Sequence, residues 1–296
     1  MDRRESPHTS NYTTRIALEK RRAVAQKVAN TLDNYPAISA VLACGSVALG
    51  YVDERSDVDM YVICRSAVPP LAELLNRHSQ IGSDWRMNQG SATNPIFGDI
   101  WIEGLVDSIS VTLHYQTVPW MAEVIQGVLE NGAITTEKVP FRPYTLLGLL
   151  QRAWILRDYD RTVAHWRAQM RNYPRQLKLN LFDHFVPILI ENTEDLVATA
   201  ERKLGPIGIL FHLFMATDGL NSLLFALNET YDPADRRAWK VILPTLPLLP
   251  HKYIARLTGI LEGPFDEVNA IYKTHQFQQL ANEVVQMIRD AQRMET

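Results

Sequence analysis

Two aspartates separated by one residue, Asp57 and Asp59, open an apolar stretch that continues to Ile63. Side chains alternate between the faces of an extended strand, so both carboxylates project from one face, about 6–7 Å apart. Carboxylates at this spacing repel each other and raise each other's pKa unless a cation lies between them. Mg²⁺ prefers oxygen ligands and is often held by carboxylates together with substrate phosphates. The pair therefore predicts a magnesium site for a phosphate-bearing substrate.

A Gly-Ser dipeptide, Gly45-Ser46, lies upstream of the aspartates, at the end of another apolar stretch. Gly45 has no Cβ, so its backbone can approach a phosphate closely. The Ser46 hydroxyl and neighbouring amides can then donate hydrogen bonds to that phosphate. Gly-Ser alone and Asp-x-Asp alone are weak signals. An apolar strand, Gly-Ser, a polar loop and Asp-x-Asp at the start of a second strand form a much more specific combination.

A third carboxylate is expected from Asp107, which precedes a stretch of alternating apolar and polar residues. On a strand, Asp107 shares a face with Ile109, Val111 and Leu113. An aspartate at the head of an apolar face needs a partner, and a metal ion would provide one. Glu103 is the alternative, because it flanks the turn expected at Gly104.

The segment from Gly45 to Asp59 resembles the signature of polymerase β-type nucleotidyltransferases, particularly bacterial aminoglycoside and lincosamide nucleotidyltransferases. The resemblance implies that Gly45 and Ser46 bind a nucleoside triphosphate and that Asp57, Asp59 and Asp107 are catalytic carboxylates holding Mg²⁺. It implies transfer of a nucleoside monophosphate, with ATP as the expected donor, to a hydroxyl of a small acceptor such as an antibiotic.

The chain departs from this pattern at Ala48-Leu49-Gly50, where many members have Ala-Arg-Gly. We expect Arg55 or an arginine of the C-terminal region to replace the missing basic residue. Three matters stay open: whether one or two metal ions bind, with Asp107 as general base in the first case; whether the acceptor is a protein side chain; and whether the chain is a catalytically silent nucleotide-binding regulator.

The periodicity of apolar residues predicts an α+β fold in which a small mixed-sheet nucleotidyltransferase domain, residues 1–138, precedes a C-terminal α-helical bundle, residues 139–296, that binds substrate. The predicted elements of the first domain are helices 15–32, 71–77 and 120–129 and strands 38–44, 57–64, 96–103 and 105–115. A proline-containing linker at 138–143 leads to helices 146–171, 178–203, 207–228, 234–243 and 265–294. Asp218, Asn221 and Ser222 share one side of a helix, which favours a solvated face over an acceptor-binding one.

The composition and charge of the chain make some classes of function unexpected. The chain has 296 residues, 46% hydrophobic and 21% charged, with a formal net charge of −3. It has no block of Lys and Arg, so a polynucleotide partner is not expected. The two cysteines lie in apolar stretches and are expected to be buried thiols. Without a secretory signal or an apolar run of about 20 residues, the chain is expected to be cytoplasmic and not in a membrane. The sequence is compatible with a homodimer.

Overall fold

The computed structural model describes residues 7–89, 100–135, 142–233 and 235–294, and the fold is α+β, as predicted. The elements follow in the order α1 (Pro7–Thr31), β1 (Ile38–Ala43), α2 (Gly45–Leu49), β2 (Val58–Cys64), α3 (Leu71–His78), β3 (Ser83–Gln89), β4 (Ile100–Val106), β5 (Ile109–Thr117), α4 (Val118–Asn131), α5 (Tyr144–Arg152), β6 (Trp154–Asp158), α6 (Thr162–Gln169), α7 (Arg175–Glu201), α8 (Pro206–Leu227), a 3₁₀ turn (Arg236–Ala238), α9 (Trp239–Ile242), a second 3₁₀ turn (Leu243–Thr245), α10 (Tyr253–Leu261) and α11 (Glu267–Met294).

The chain divides into two compact units, and the boundary differs from the predicted one at residues 138 and 139. The first unit contains Met1–Leu129, Ala133–Asn172 and Pro233–Val241, and the second contains the remaining segments. The helix predicted at 146–171 is interrupted, because Trp154–Asp158 forms strand β6 and pairs with β1. The sheet thus recruits residues beyond the predicted linker, of which 138–141 lie outside the described residues.

The first unit is built on a mixed sheet with strand order β3-β4-β5-β2-β1-β6. Strands β2 and β5 run parallel, and every other neighbouring pair is antiparallel. One face of the sheet packs on α1 through a buried apolar cluster that includes Val28, Met60 and Leu113. Alternation along β2 therefore turns Asp59 and Tyr61 to the opposite face. Helix α2 contacts β2, and α6 contacts β1 and β6.

The hairpin between β4 and β5 turns at Asp107 and Ser108 rather than at Gly104. Both turn residues have positive φ, 50° and 63°, as tight two-residue hairpin turns require. Gly104 lies inside β4, opposite Val111. A Cβ at Gly104 would lie 2.3 Å from the Trp85 ring, so this glycine makes room for a packed indole.

The second unit consists mainly of α7, α8, α10 and α11. Within the described ranges, one helix, Pro206–Leu227, is long and apolar enough to cross a membrane, and 67% of its most apolar window is buried. Its packing against α7 and α11 is that of a core helix. The solvated face favoured for Asp218, Asn221 and Ser222 was wrong, because all three are buried. Asn221 accepts a hydrogen bond from the Tyr253 hydroxyl at 2.5 Å.

Candidate active site

The main candidate site is a cavity of about 430 Å³ within the first unit. Its walls come from the end of β1 and the start of α2, from β2 and β5, from the end of α5, and from the segment that follows Pro233. Gly45, Asp57 and Asp59 all line it. The structure thus brings together the glycine and the aspartate pair that the sequence motif singled out.

The local backbone explains this convergence. The amide of Cys44 donates to the carbonyl of Asp59 at 2.8 Å, which fixes the end of β1 beside the start of β2. Gly45 then starts α2 with φ of +55°, a left-handed conformation that glycine adopts without steric cost. A Cβ at Gly45 would lie 3.2 Å from Oδ2 of Asp59, so the missing side chain leaves room for the carboxylate. Ser46 follows Gly45 but does not line the cavity.

The carboxylate of Asp59 is the electrostatically unusual group of the cavity. Burial, with repulsion from Asp57 next, raises its pKa from 3.8 to about 6; Arg237 acts in the opposite direction and Asp235 adds to the rise. No described group donates a hydrogen bond to this side chain. A partly buried carboxylate without a donor and beside a second carboxylate is the environment that a divalent cation stabilises. Asp57 and Asp59 therefore fit a single Mg²⁺.

Asp107 is not placed with these two aspartates, and the expected triad is not formed. Its side chain lies in the β4–β5 turn, is 60% exposed and pairs with Lys27 of α1 at 2.8 Å. Because α1 covers the apolar face of the sheet, Asp107 lies on the side opposite to that of Asp59. Glu103, the alternative, accepts a hydrogen bond from the Trp101 indole at 3.1 Å and also lies outside the cavity.

The position beside Asp59 on the neighbouring strand is occupied by Thr112. Two residues further on, His114 pairs with Tyr61 in the register and lines the cavity. Over the described ranges, no group of three or more His, Cys, Asp or Glu side chains is arranged to hold a metal ion. Within the part of the chain that the structure describes, Asp57, Asp59 and Asp107 therefore do not form one cluster.

The loop that leads into Asp57 is held by Arg21, a residue that the sequence analysis did not single out. Arg21 is 4% exposed although it lies on a helix. Its guanidinium donates to the carbonyls of Ser56 and Glu54, each at 2.7 Å. The only signal in the sequence was an arginine at helical spacing with the apolar residues of α1. This signal does not separate Arg21 from the neighbouring Arg22.

A second group that sequence reasoning missed comes from the segment after Pro233. Asp235 accepts a hydrogen bond from the Tyr51 hydroxyl at 3.0 Å. It also accepts from the backbone amide of Arg237 at 2.9 Å and from its Nε at 3.0 Å. Burial alone would raise the pKa of Asp235, but the hydrogen bonds from Arg237 and Tyr51 outweigh it and leave that pKa lowered. Asp235 is therefore an anionic acceptor at this wall.

The thiol of Cys44 also lines the cavity, but its chemistry is that of a buried group. Burial, with the charge of Asp59 next, raises the pKa of Cys44 above its ordinary value. The cysteine is free and buried, as predicted. Since the thiolate is the reactive form, Cys44 is poorly suited to act as a nucleophile.

Comparison with known proteins yields structural likenesses only. No protein-family model matches the chain, and no curated protein matches it. A nucleotidyltransferase-like protein from Exiguobacterium sibiricum has 13% identity and a TM-score of 0.40, over 91% of this chain and 76% of the other. An aminoglycoside 6-adenyltransferase from Bacillus subtilis has 8% identity and a TM-score of 0.31, over 91% of each chain. Both descriptions refer to the kind of enzyme that the Gly45–Asp59 motif resembles, but TM-scores below 0.5 carry no argument.

Proposed function

We propose that the chain is a nucleotidyltransferase that moves a nucleoside monophosphate, with ATP as the first donor to test, onto a hydroxyl of a small acceptor. The observation that carries this proposal is the carboxylate pair at the cavity wall. Asp57 and Asp59 line the cavity, and Asp59 has a raised pKa and no hydrogen-bond donor from the described part of the chain. Gly45 faces the same carboxylate. The carboxylate pair thus concentrates negative charge at one point of the wall, which the Mg²⁺ of a magnesium–triphosphate complex would balance.

In this proposal, Asp57 and Asp59 would hold one Mg²⁺, which supplies charge neutralisation for the triphosphate and its leaving pyrophosphate when it is bound. The glycine at position 45 allows phosphate and carboxylate to approach the same stretch of backbone. Arg21 fixes the loop from Glu54 to Ser56, so that Asp57 is presented in one orientation. These residues bind and orient the donor.

The acceptor is proposed to be a small molecule because of the volume of the cavity. A volume of about 430 Å³ lies within the range of small-molecule sites. Apolar walls from Leu49 and Leu149 combine with the polar groups of His114 and Arg152. This mixture suits a molecule that carries both apolar and polar groups, including an antibiotic of the aminoglycoside or lincosamide class, which would form the first panel to test.

The proposal is tested by measuring pyrophosphate release from each nucleoside triphosphate with Mg²⁺ over a panel of aminoglycosides and lincosamides. The wild type is expected to turn over at least one pair of donor and acceptor. Asp57→Asn and Asp59→Asn are each expected to abolish turnover. Asp107→Asn is the matched control, since this exposed aspartate lies on the other face of the sheet, and it is expected to retain activity. Equal loss in all three variants would contradict the assignment of the site.

A second candidate function is a nucleotide-binding regulator without turnover. The observation that favours it is the occupant of the strand position beside Asp59, which is Thr112 rather than a third carboxylate. Metal-dependent nucleotide binding that is lost in Asp59→Asn, without pyrophosphate release or label transfer to a small molecule or protein, would support this candidate. Label transfer to a protein would instead identify a protein-modifying adenylyltransferase.

A further inference from the structure

The cavity contains as many arginines as aspartates, and the arginines come from two distant segments of the chain. Arg152 ends α5, while Arg236 and Arg237 lie in the 3₁₀ turn after Pro233. Asp57, Asp59 and Asp235 provide the opposite charges on the same walls. If Asp57 and Asp59 share a divalent cation, the remaining groups carry a surplus of positive charge. The cavity would then attract the phosphates that remain beyond the cation.

The three arginines differ in what holds their guanidinium groups. Arg152 donates to the Gly148 carbonyl of its own helix at 3.0 Å, and Arg236 stacks over the Trp239 ring at 5.7 Å. Arg237 is held through its Nε, which lies 3.0 Å from both carboxylate oxygens of Asp235. Its two terminal nitrogens donate to no group in the described segments, and the side chain is 76% exposed. Those nitrogens can donate hydrogen bonds to a phosphate in the bidentate arrangement that a guanidinium allows.

We propose that Arg237 is the arginine that binds the β- and γ-phosphates of the donor, and that Asp235 and Tyr51 position it. This inference rests on the proposed nucleotidyltransferase function and assigns its phosphate-binding arginine. Tyr51 donates to Asp235 at 3.0 Å, and Asp235 in turn holds Nε of Arg237, so the terminal nitrogens are oriented without being occupied. Tyr51 directly follows Gly50, the residue that ends α2. The loop after the Gly-Ser dipeptide therefore supports an arginine that lies far away in sequence.

This assignment replaces the arginine that the sequence lacks at Leu49 and decides against Arg55, the other expected substitute. Arg55 is exposed in the loop before Asp57 and does not line the cavity. Arg237 also lines the same cavity as the metal-binding pair, Asp57 and Asp59. A triphosphate would therefore meet Asp57, Asp59 and Arg237 at one site.

The test is calorimetric binding of ATP, ADP, AMP and inorganic tripolyphosphate, each with Mg²⁺, to the wild type, Arg237→Ala, Arg237→Lys, Asp235→Asn and the control Arg55→Ala. We expect Arg237→Ala to weaken ATP and tripolyphosphate binding by about 10- to 100-fold, the factor that one or two charge-assisted hydrogen bonds supply. AMP binding is expected to change by less than about threefold, since AMP lacks the contacted phosphates. Arg237→Lys restores the charge without the fork and should recover only part of the loss.

The positioning role predicts that Asp235→Asn weakens ATP binding less than Arg237→Ala, because the guanidinium is retained but less well oriented. Arg55→Ala should bind all four ligands as the wild type does. Circular dichroism and melting temperature verify that each variant is folded. A folded Arg237→Ala that binds ATP with wild-type affinity would overturn the assignment, as would equal losses for ATP and AMP. Failure of the wild type itself to bind any nucleotide would instead refute the proposed function.

Discussion

Replacing Asp59 by asparagine should stabilise the metal-free protein at neutral and alkaline pH. Burial and the neighbouring Asp57 raise the pKa of Asp59 from 3.8 to about 6, so the ionised carboxylate is unfavourable in the fold. The native state binds the proton more tightly than the unfolded state does. Stability from this group is therefore fully present below about pH 4 and is lost as the pH rises through 6. Asparagine cannot ionise, so its contribution has no such pH dependence.

The magnitude follows from the size of that pKa change. A rise from 3.8 to about 6 corresponds to a penalty of at most about 3 kcal/mol above pH 7. Asp59→Asn should remove most of it, which for a chain of this size raises the melting temperature by roughly 5–10 °C at pH 8. Below pH 4, the two proteins should melt within about 2 °C of each other, because the wild-type carboxylate is then neutral.

The assay is a thermal melt at several pH values in EDTA and again with Mg²⁺. Asp107→Asn is the matched control, since it removes only an exposed ion pair with Lys27, which is worth about 0–1 kcal/mol. Its melting temperature should not exceed that of the wild type at pH 8, and the difference between the two should not depend on pH. With Mg²⁺ at pH 8, the wild type should gain stability and Asp59→Asn should not. A lower melting temperature for Asp59→Asn than for the wild type at pH 8 in EDTA would refute the reasoning, because the carboxylate would then be stabilised by the fold itself.

Three further substitutions probe the same site by other routes. Gly45→Ala should destabilise the protein and remove the stabilisation by Mg²⁺, since a Cβ would lie 3.2 Å from the Asp59 carboxylate. Gly50 has the same left-handed backbone but open space around it. Gly50→Ala should therefore lower the free energy of unfolding by only about 1–2 kcal/mol and leave the stabilisation by Mg²⁺ intact in a thermal melt. Arg21→Met should lower the free energy of unfolding by about 2–4 kcal/mol and weaken nucleotide binding, because two backbone carbonyls lose a charged donor. Arg15 is exposed, so Arg15→Met should change neither the free energy of unfolding in a denaturation experiment nor the affinity in a nucleotide titration. Thr112→Asp should place a third carboxylate beside Asp59. The melting temperature without metal should fall, and the increase in melting temperature that Mg²⁺ produces should become larger. An unchanged increase would show that Thr112 does not face the site.

Local sequence predicted the proximity of Gly45, Asp57 and Asp59, because the geometry that it required is itself local. Alternation along one strand places Asp57 and Asp59 on one face, and the amide of Cys44 bonds directly to Asp59 in the adjacent strand. Long periodic segments likewise predicted α1, α7 and α8. The features that escaped prediction depend on distant partners: Tyr51 and Asp235 are 184 positions apart, and β6 exists only through its pairing with β1.

Gly104 shows how local turn chemistry can mislead. A glycine between two apolar stretches predicts a tight turn. In the structure, this glycine is needed inside β4, because the Trp85 ring occupies the space where a side chain would be. The turn forms three residues later at Asp107 and Ser108, both with positive φ. Aspartate tolerates this conformation better than most residues do, so Asp107 has a turn-forming reason to be where it is.

Asp107 lies outside the cavity, for a reason that the sequence already contained. Val58 and Met60 flank Asp59 on β2 and belong to the core, so the face that carries Asp59 must be the face opposite the core. On β5, the core residues are Val111 and Leu113, which share their parity with Asp107. Applying the same alternation to both strands predicts that a third ligand would come from the polar face of β5, where this chain has Thr112. A carboxylate predicted in phase with the core residues of a strand is therefore not expected at the site of Asp59, and in the structure Asp107 lies in the turn before β5.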